Sequence, residues 1–353
     1  MKNKIINFLF DYADPSIILR VKKEILNCLS EKEEKELLGK IISQKNVQTV
    51  IQSQKSDGWF GNNFHGQSPK NNAGMYDNME VGLRYLAEKG FSSENEYISK
   101  AVSSFLSKEP FDAAYGCGKP ETPEADYKYT ASGLYIARSS IILRAGYENK
   151  LPENDFIDLK RDVDFSFKTF ADVLNYATAD EIIDRQKKKP CFKENILFPC
   201  LYHLRMLAHS VSWRNSSDIS ILVSSLNHLL SFQQTDEMVY TYIKGQYRGP
   251  CFALIHAQGR ILGIAEKDFI PLDMMELFAR CKVVKGVELL KYKYDRLLSL
   301  IDENLNVNID SQNGNNWNPY LGFALEVDWK KKIRLQCDLL FRVLLIMHYT
   351  EMS

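Results

Sequence analysis

Helical periodicity is the feature of this sequence that most constrains its fold. Apolar side chains recur three and four residues apart in one segment after another, and polar connectors separate the segments. Alternation typical of a strand is rare, and the short segment 238–243 is its clearest case. The pattern predicts helices over the ranges 18–29, 37–51, 78–89, 93–106, 127–145, 156–176, 195–211, 217–232, 272–281, 285–301 and 331–349.

Most of the predicted connectors are short, which makes consecutive helices antiparallel and predicts helical hairpins. No stretch rich in Pro, Gly or Ser and no run of like charges marks a linker between domains. Two longer, less helical stretches lie at 109–126 and 233–271. We therefore expect an all-α chain that forms a single domain over 1–353, with a few long loops.

Charge and cysteine content limit the kinds of partner that we expect this chain to bind and the compartment in which we expect it. Lys plus Arg number 45 and Asp plus Glu number 45, a formal net charge of zero. This balance argues against a dedicated nucleic-acid or anionic-membrane binder, although a local basic patch would not alter the sum. No uncharged apolar stretch is long enough to span a bilayer. The 7 scattered cysteines, without a C-x-x-C pair, predict reduced thiols in a cytoplasmic protein.

A short motif, Gln54-Lys55-Ser56-Asp57-Gly58-Trp59, lies between two predicted helices. Gly58 permits a turn with positive φ, and Asp57 can accept backbone N–H groups. Trp59 can lie against Gln54 at the end of a hairpin. The motif resembles the Q-x-x-D-G-x-W repeat of squalene cyclases and protein prenyltransferases, with one residue missing before the Trp. Weaker copies occur at 312–317 and 233–236.

The resemblance implies an α/α toroid, in which antiparallel helical hairpins surround a central cavity. Four further segments are similar to uncharacterised bacterial prenyltransferase-like proteins, namely 14–17, 57–61, 64–66 and 325–329. The catalytic signatures of the family are incomplete in this chain. Class II cyclases use D-x-D-D, and this chain has Asp162-Val163-Asp164-Phe165. Asp164 and Asp162 are candidate catalytic acids by this resemblance, and the alternative is two solvated carboxylates at a helix start.

Candidate metal ligands follow from the same resemblance, because protein prenyltransferases hold zinc with Asp, Cys and His. Cys200 and His203 lie three apart on a predicted helix, and Cys251 and His256 lie near the long loop. The alternative is that the cysteines are small buried residues and the histidines are hydrogen-bonded within the core. His65 is a candidate general acid or base, since its pKa lies near neutral, or a loop residue that only forms hydrogen bonds.

Candidate ligand-binding residues lie in three places. Glu326, Asp328 and Trp329 combine carboxylates with an aromatic ring, which suits a sugar or a cation, or they anchor the entry to the last helix. Arg248 can recognise an anion such as a diphosphate, or it forms a surface salt bridge. Trp59 of the repeat motif is the third candidate.

Three functions remain open. The first is a terpenoid cyclase- or prenyltransferase-like protein that binds an isoprenoid or other apolar ligand in a central cavity. The second is a noncatalytic toroid that acts as a binding or scaffold protein. The third is a carbohydrate-active α/α-barrel lyase or hydrolase. Zinc or magnesium fits the first function, but the sequence requires neither metal, and the expected partner is an apolar small molecule rather than a nucleic acid. Oligomeric state is left open.

Overall fold

A computed structural model describes residues 1–61, 64, 78–107, 134–193, 196–232, 238–243, 245–248, 254, 272–309 and 324–352. The chain is mostly helical over these ranges, which confirms the all-α class. Its contacts define two compact units. Unit 1 comprises 1–119, 144–150 and 298–348, and unit 2 comprises 120–143, 151–297 and 349–353. The single domain and the toroid stay predictions.

The helices are α1 Lys2–Tyr12, α2 Pro15–Arg20, α3 Glu31–Ile42, α4 Lys45–Gln52, α5 Met79–Glu88, α6 Glu96–Leu106, α7 Leu134–Arg144, α8 Glu153–Ala171, α9 Ala179–Ile182, α10 Leu201–His209, α11 Ser216–Phe232, α12 Leu272–Arg280, α13 Glu288–Ser299 and α14 Lys332–Glu351. A π-helical turn, Val21–Ile25, follows α2, and a 3-10 turn, Asp172–Asn175, follows α8. Among the described residues, none of these helices combines the length and apolar character needed to cross a membrane.

In unit 1 the helices α1 to α6 pack in the order of the chain, each against the next. Caps and glycines set several of the boundaries that the sequence predicts. The Asp14 carboxylate accepts the Ser16 N–H at 2.9 Å at the start of α2, with Pro15 in the first turn. Asn78 caps α5 through the Val81 N–H at 3.0 Å, and Gly90 follows that helix with φ +99°.

Helix α5 is buried at every one of its residues and lies at the core of unit 1. Its charged residues Glu80, Arg84 and Glu88 lie four apart and are buried with the apolar ones. Glu80 and Arg84 form an ion pair at 3.6 Å. A helix buried on all sides needs partners for each of its charges, because an unpaired buried charge is strongly destabilising.

Unit 2 combines helices with short strands. Helix α8 packs against α10 and α11, and α10 packs against α12. Two antiparallel strand pairs are present. The first joins β1 Ile183–Asp184 to β2 Cys191–Phe192, and the second joins β3 Thr241–Ile243 to β4 Gln246–Arg248. A bridge between Cys191 and Tyr240 connects the two pairs.

Several boundaries differ from the sequence prediction. The segment 37–51 is two helices, since Ser43 ends α3 and Gln44 begins α4. The helix predicted over 195–211 begins only at Leu201, because Pro199 disfavours helical geometry at the residue before it and Cys200 is the N-cap. Helix α1 and strands β1 and β2 were not predicted, as they are short or lack a clear period.

Candidate functional site

The Gln54–Trp59 turn follows α4 and lies in unit 1. Gly58 has φ +90°, and a Cβ at this position would overlap the carbonyl oxygen of Lys100 on α6. Asp57 accepts the Trp59 N–H at 2.9 Å. The Gln54 amide donates to the carbonyl oxygens of Gly58, at 3.1 Å, and Tyr97, at 2.8 Å. The motif therefore fastens the end of α4 to α6.

Trp59 is buried against α6, where its ring meets Phe105 edge-on with centroids 5.6 Å apart. Phe64 packs on the same Phe105 ring, also at 5.6 Å. The indole N–H of Trp59 is buried and has no hydrogen-bond partner among the described residues. These contacts make Trp59 part of the core of unit 1, and a ligand contact by Trp59 stays a prediction.

A second group of polar side chains surrounds Asp338, which is buried on α14. Its carboxylate accepts the backbone N–H groups of Leu325, at 2.7 Å, and Glu326, at 3.1 Å. It also accepts the indole N–H of Trp329 at 2.6 Å. The Asp338 carboxylate therefore fixes the backbone path of residues 324–329 by hydrogen bonds. It also holds Trp329 in place just before α14.

The same group extends to α2 and to the end of α5. The Asp14 backbone N–H donates to Glu326 Oε1 at 2.8 Å, and Gln44 Nε2 donates to Asp14 Oδ2 at 2.6 Å. Lys89, which is fully buried, donates its ammonium group to the Leu325 carbonyl oxygen. We call these residues the Glu326 cluster: Asp14, Gln44, Lys89, Glu326, Trp329 and Asp338.

Burial dominates the protonation of this cluster. It raises the pKa of Glu326 to about 8, and the negative charges of Asp338 and Asp14 act in the same direction. Burial also raises the pKa of Asp338 to about 6, against the effect of its hydrogen bonds. For Lys89, burial lowers the pKa, and the three carboxyl groups partly oppose this. Near neutral pH, Glu326 is therefore mostly a neutral acid beside an Asp338 carboxylate.

This arrangement limits the chemistry that Glu326 can perform. A neutral carboxyl group can donate a hydrogen bond or hold a proton between two carboxyl groups. Protonation of an alkene requires an unusually strong acid, and a pKa of about 8 makes Glu326 a weak one. The cluster fits the positioning of chain segments better than acid-initiated cyclisation.

A third group lies around Glu88 at the end of α5. Arg20 Nη1 and Arg144 Nε each lie 2.8 Å from a Glu88 carboxylate oxygen, and Arg342 Nη1 lies 3.9 Å away. Burial alone would raise the pKa of Glu88, but Arg144, Arg20 and Arg342 outweigh it and hold that pKa well below its usual range. Glu88 is thus an ionised carboxylate that joins three elements of unit 1.

In unit 2 the structure places Cys200 and His203 together, at the start of α10. The Cys200 N–H donates to His203 Nδ1 at 3.2 Å, and Cys200 Sγ lies 3.2 Å from the same nitrogen. Burial lowers the pKa of His203 to about 4, so the ring is neutral and the proton lies on Nε2. His203 therefore closes the N-terminus of α10, and zinc ligation by this pair stays a prediction.

Asp162 and Asp164 lie in the middle of α8, not at a helix start. Asp162 is fully buried, and its Oδ2 accepts the Ser139 hydroxyl at 2.5 Å, whereas Asp164 is exposed. Two residues apart on a helix, their side chains point in directions about 200° apart. The expectation of two solvated carboxylates fails for Asp162, and the structure does not bring the two acids to one site.

The other predicted residues are dispersed. Asp328 pairs with Arg334 at 2.8 Å, and Arg248 is placed by its backbone in β4 opposite Thr241. His65, Cys251 and His256 lie outside the described residues. Within the ranges that are described, no three His, Cys, Asp or Glu side chains converge as metal ligands.

Sequence reasoning missed Lys89, Asp338 and Glu88, which are buried charged residues of unit 1. Lys89 lies 236 residues from Leu325, whose carbonyl oxygen it meets, whereas Asp338 lies only 9 to 13 residues from its partners. Asp338 offered one local signal, since it stands at the start of the apolar run 339–341 on a helix, where an isolated acid indicates a buried, hydrogen-bonded carboxyl group.

Comparison of the chain with protein-family models, with curated proteins and with solved structures finds no match.

Proposed function

We propose that the protein is a terpenoid cyclase- or prenyltransferase-like α/α toroid that binds an isoprenoid or another apolar ligand in a central cavity. The proposal concerns binding, and catalysis is not part of it. It rests on the resemblance of the motif at 54–59 and on the geometry of that motif.

The Gln54–Trp59 turn is the observation that supports this proposal most. The Gly58 backbone, the Asp57 cap and the two hydrogen bonds of Gln54 join the end of α4 to α6. A repeat that fastens one helix end to a neighbouring hairpin is the unit from which a closed ring of hairpins is built. The missing residue before Trp59 does not prevent the tryptophan from packing on α6.

A noncatalytic toroid is the second candidate, and one observation favours it. Among the described candidates, Asp162, Glu326 and His203 are engaged in internal contacts, with Ser139, Asp14 and Cys200 in that order. Such groups hold segments in place and have little freedom to bind a metal or transfer a proton. In this second reading the toroid presents a surface to another macromolecule.

A thermal-shift panel tests the binding proposal. The ligands are prenyl diphosphates of several chain lengths, each with and without magnesium or zinc. Inorganic diphosphate, prenyl alcohols and oligosaccharides serve as controls for the head group, the apolar chain and the carbohydrate alternative. A ligand at about 100 times its Kd stabilises the protein by roughly 2.7 kcal/mol, which raises Tm by a few degrees.

Stabilisation that depends on prenyl chain length, and that the matching alcohol partly reproduces, is the expected result. A shift with inorganic diphosphate alone would indicate an anion site without an apolar pocket. No shift with any prenyl compound would reject the isoprenoid proposal and leave the noncatalytic toroid. A shift with oligosaccharides alone would favour the carbohydrate-active alternative.

A further inference from the structure

A strongly basic segment stands out in a chain whose net charge is zero. Residues 184–193 contain five Lys or Arg and one Asp, and residues 240–248 add two basic residues and no acid. The two segments belong to the two strand pairs of unit 2. Backbone hydrogen bonds join them, from the Tyr240 N–H to the Pro190 oxygen and from the Phe192 N–H to the Tyr240 oxygen, both at 2.9 Å.

Three tyrosines lie on one face of this strand region. Tyr240 and Tyr242 are two residues apart, and Tyr242 pairs directly with Tyr247 on the neighbouring strand, so all three side chains share a face. The ring centroids of Tyr242 and Tyr247 are 4.9 Å apart, and those of Tyr240 and Tyr247 are 6.2 Å apart. All three side chains are only partly buried.

Two lysines from the turn between β1 and β2 lie against two of these rings. Lys187 Nζ lies 4.3 Å from the Tyr242 ring centroid, and Lys189 Nζ lies 4.5 Å from that of Tyr240. Lys187, Lys189 and the three tyrosines form what we call the Tyr–Lys face. Its position beside exposed Lys188 concentrates positive charge next to partly exposed aromatic rings.

Few of the described acids lie near this charge. Asp184 lies 4.0 Å from Lys187 Nζ, and Asp180 pairs with Arg185 at 3.1 Å. Neither Lys188 nor Lys189 forms an ion pair with any described residue. Ammonium groups beside aromatic rings fit a ligand that offers anionic groups and flat rings together.

We propose that the Tyr–Lys face binds single-stranded nucleic acid, with bases stacked on the tyrosines and phosphates near the lysines. Stacking on aromatic rings within a basic surface is the usual mode of single-strand binding. A duplex hides the faces of its bases from such rings. A bilayer would require protruding aliphatic side chains, but the large apolar residues next to this face, Phe192 and Val239, are buried.

Fluorescence anisotropy of labelled uridine and thymidine oligonucleotides of about 12 residues tests the proposal, since single-strand sites span about 4 to 16 nucleotides. We expect saturable binding that is stronger than binding to a duplex of the same length. If Lys187, Lys188 and Lys189 each neutralise one phosphate, the slope of log K against log salt concentration should be roughly −2. Binding should then weaken on the order of 20-fold between 50 and 200 mM salt.

Two variants separate charge from stacking. The double variant Lys187→Gln/Lys189→Gln should reduce the salt slope by about 1.4. Tyr242→Leu should weaken binding about tenfold with the slope unchanged, while Tyr242→Phe keeps the ring and the affinity. Lys32→Gln/Lys35→Gln is the matched control, because it removes two exposed lysines from α3 and should have no effect.

Thermal unfolding of each variant checks that it is folded. If Tyr242→Leu is not folded, the salt slope of the lysine double variant still tests the proposal. The proposal is overturned by equal affinity for duplex and single strand, or by an equal loss in the α3 control. Binding only to anionic lipid vesicles, or no binding at about 100 μM protein, where even nonspecific binding is expected, would also overturn it.

Discussion

The carboxyl group of Glu326 stays protonated near neutral pH because burial raises its pKa to about 8. In the unfolded chain the same group has a pKa near 4.5. The folded state therefore binds one more proton than the unfolded state between these two values. This contribution to stability is fully present below about pH 4.5 and is lost as the pH rises through about 8.

The variant Glu326→Gln should remove this pH dependence. Glutamine resembles the neutral acid in shape, and its amide oxygen can accept the Asp14 N–H. We expect similar unfolding free energies for variant and wild type only below about pH 4.5, where Glu326 is protonated in both the folded and the unfolded chain. As the pH rises from 6.5 to 8.5, the stability of the variant relative to wild type should increase by an amount on the order of 2 kcal/mol, because its side chain has no proton to lose.

Urea unfolding at several pH values measures this difference. Glu303→Gln is the matched control, since Glu303 is exposed and should give a curve parallel to that of wild type. Parallel curves for Glu326→Gln and wild type between pH 6.5 and 8.5 would show that Glu326 is ionised throughout that range.

Gly58 gives a second prediction at the residue scale. Its φ of +90° strains any residue with a Cβ, and a Cβ here would also overlap the Lys100 carbonyl. Gly58→Ala should therefore destabilise the protein by at least about 2 kcal/mol in a denaturant titration.

Gly39→Ala is the control for Gly58→Ala. Gly39 lies on an exposed face of α3 with open space around it, so alanine there should stabilise the protein by about 0.5–1 kcal/mol. Similar effects of the two substitutions would contradict the role of the turn.

At the element scale, Glu88 joins α5 to α2, to the end of α7 and to α14 through Arg20, Arg144 and Arg342. Glu88→Gln leaves the buried Arg20 and Arg342 and the partly buried Arg144 without this carboxylate. We expect a loss of about 3–5 kcal/mol in unfolding free energy, measured with denaturant.

Glu94→Gln provides the comparison. Glu94 pairs with Lys150 at the surface, where water screens the charges, so the loss of this exposed pair should lower the unfolding free energy far less. A loss for Glu88→Gln no larger than that for Glu94→Gln would mean that the arginines find other partners.

Helical period is a local property, and it predicted most elements of the described chain. Asp14, Asn78 and Gly90 lie at the boundaries that their chemistry indicates. The burial of α5 on all sides could not be predicted, because it depends on which helices surround it. The spacing of apolar residues along one helix indicates which of its faces is buried, but not which helices pack against it.

The site could be predicted only in part, for the same reason. Local spacing correctly brought Cys200 near His203 and Asp57 near Trp59. It gave no indication that Glu326 meets Asp14, which is 312 residues away in the chain. Pairing between buried charges is a tertiary property, and one sequence read locally does not contain it.

At the scale of the whole molecule, zero net charge conceals an uneven distribution. The basic segment at 184–193 provides a local positive charge that suits a polyanionic ligand, even though the net charge of the full chain is zero. The expectation of no nucleic-acid partner rested on the total charge, and binding depends instead on the local field. The two proposals concern different ligands, so failure of one leaves the other intact.

Isothermal titration calorimetry with a prenyl diphosphate, at several temperatures and with inorganic diphosphate as reference, tests the apolar-ligand proposal most directly. Burial of an isoprenoid chain should give saturable binding with a negative heat-capacity change that grows with chain length. Inorganic diphosphate should lack this change. Binding that is equal for inorganic diphosphate and every chain length, or no binding at all, would contradict an apolar cavity.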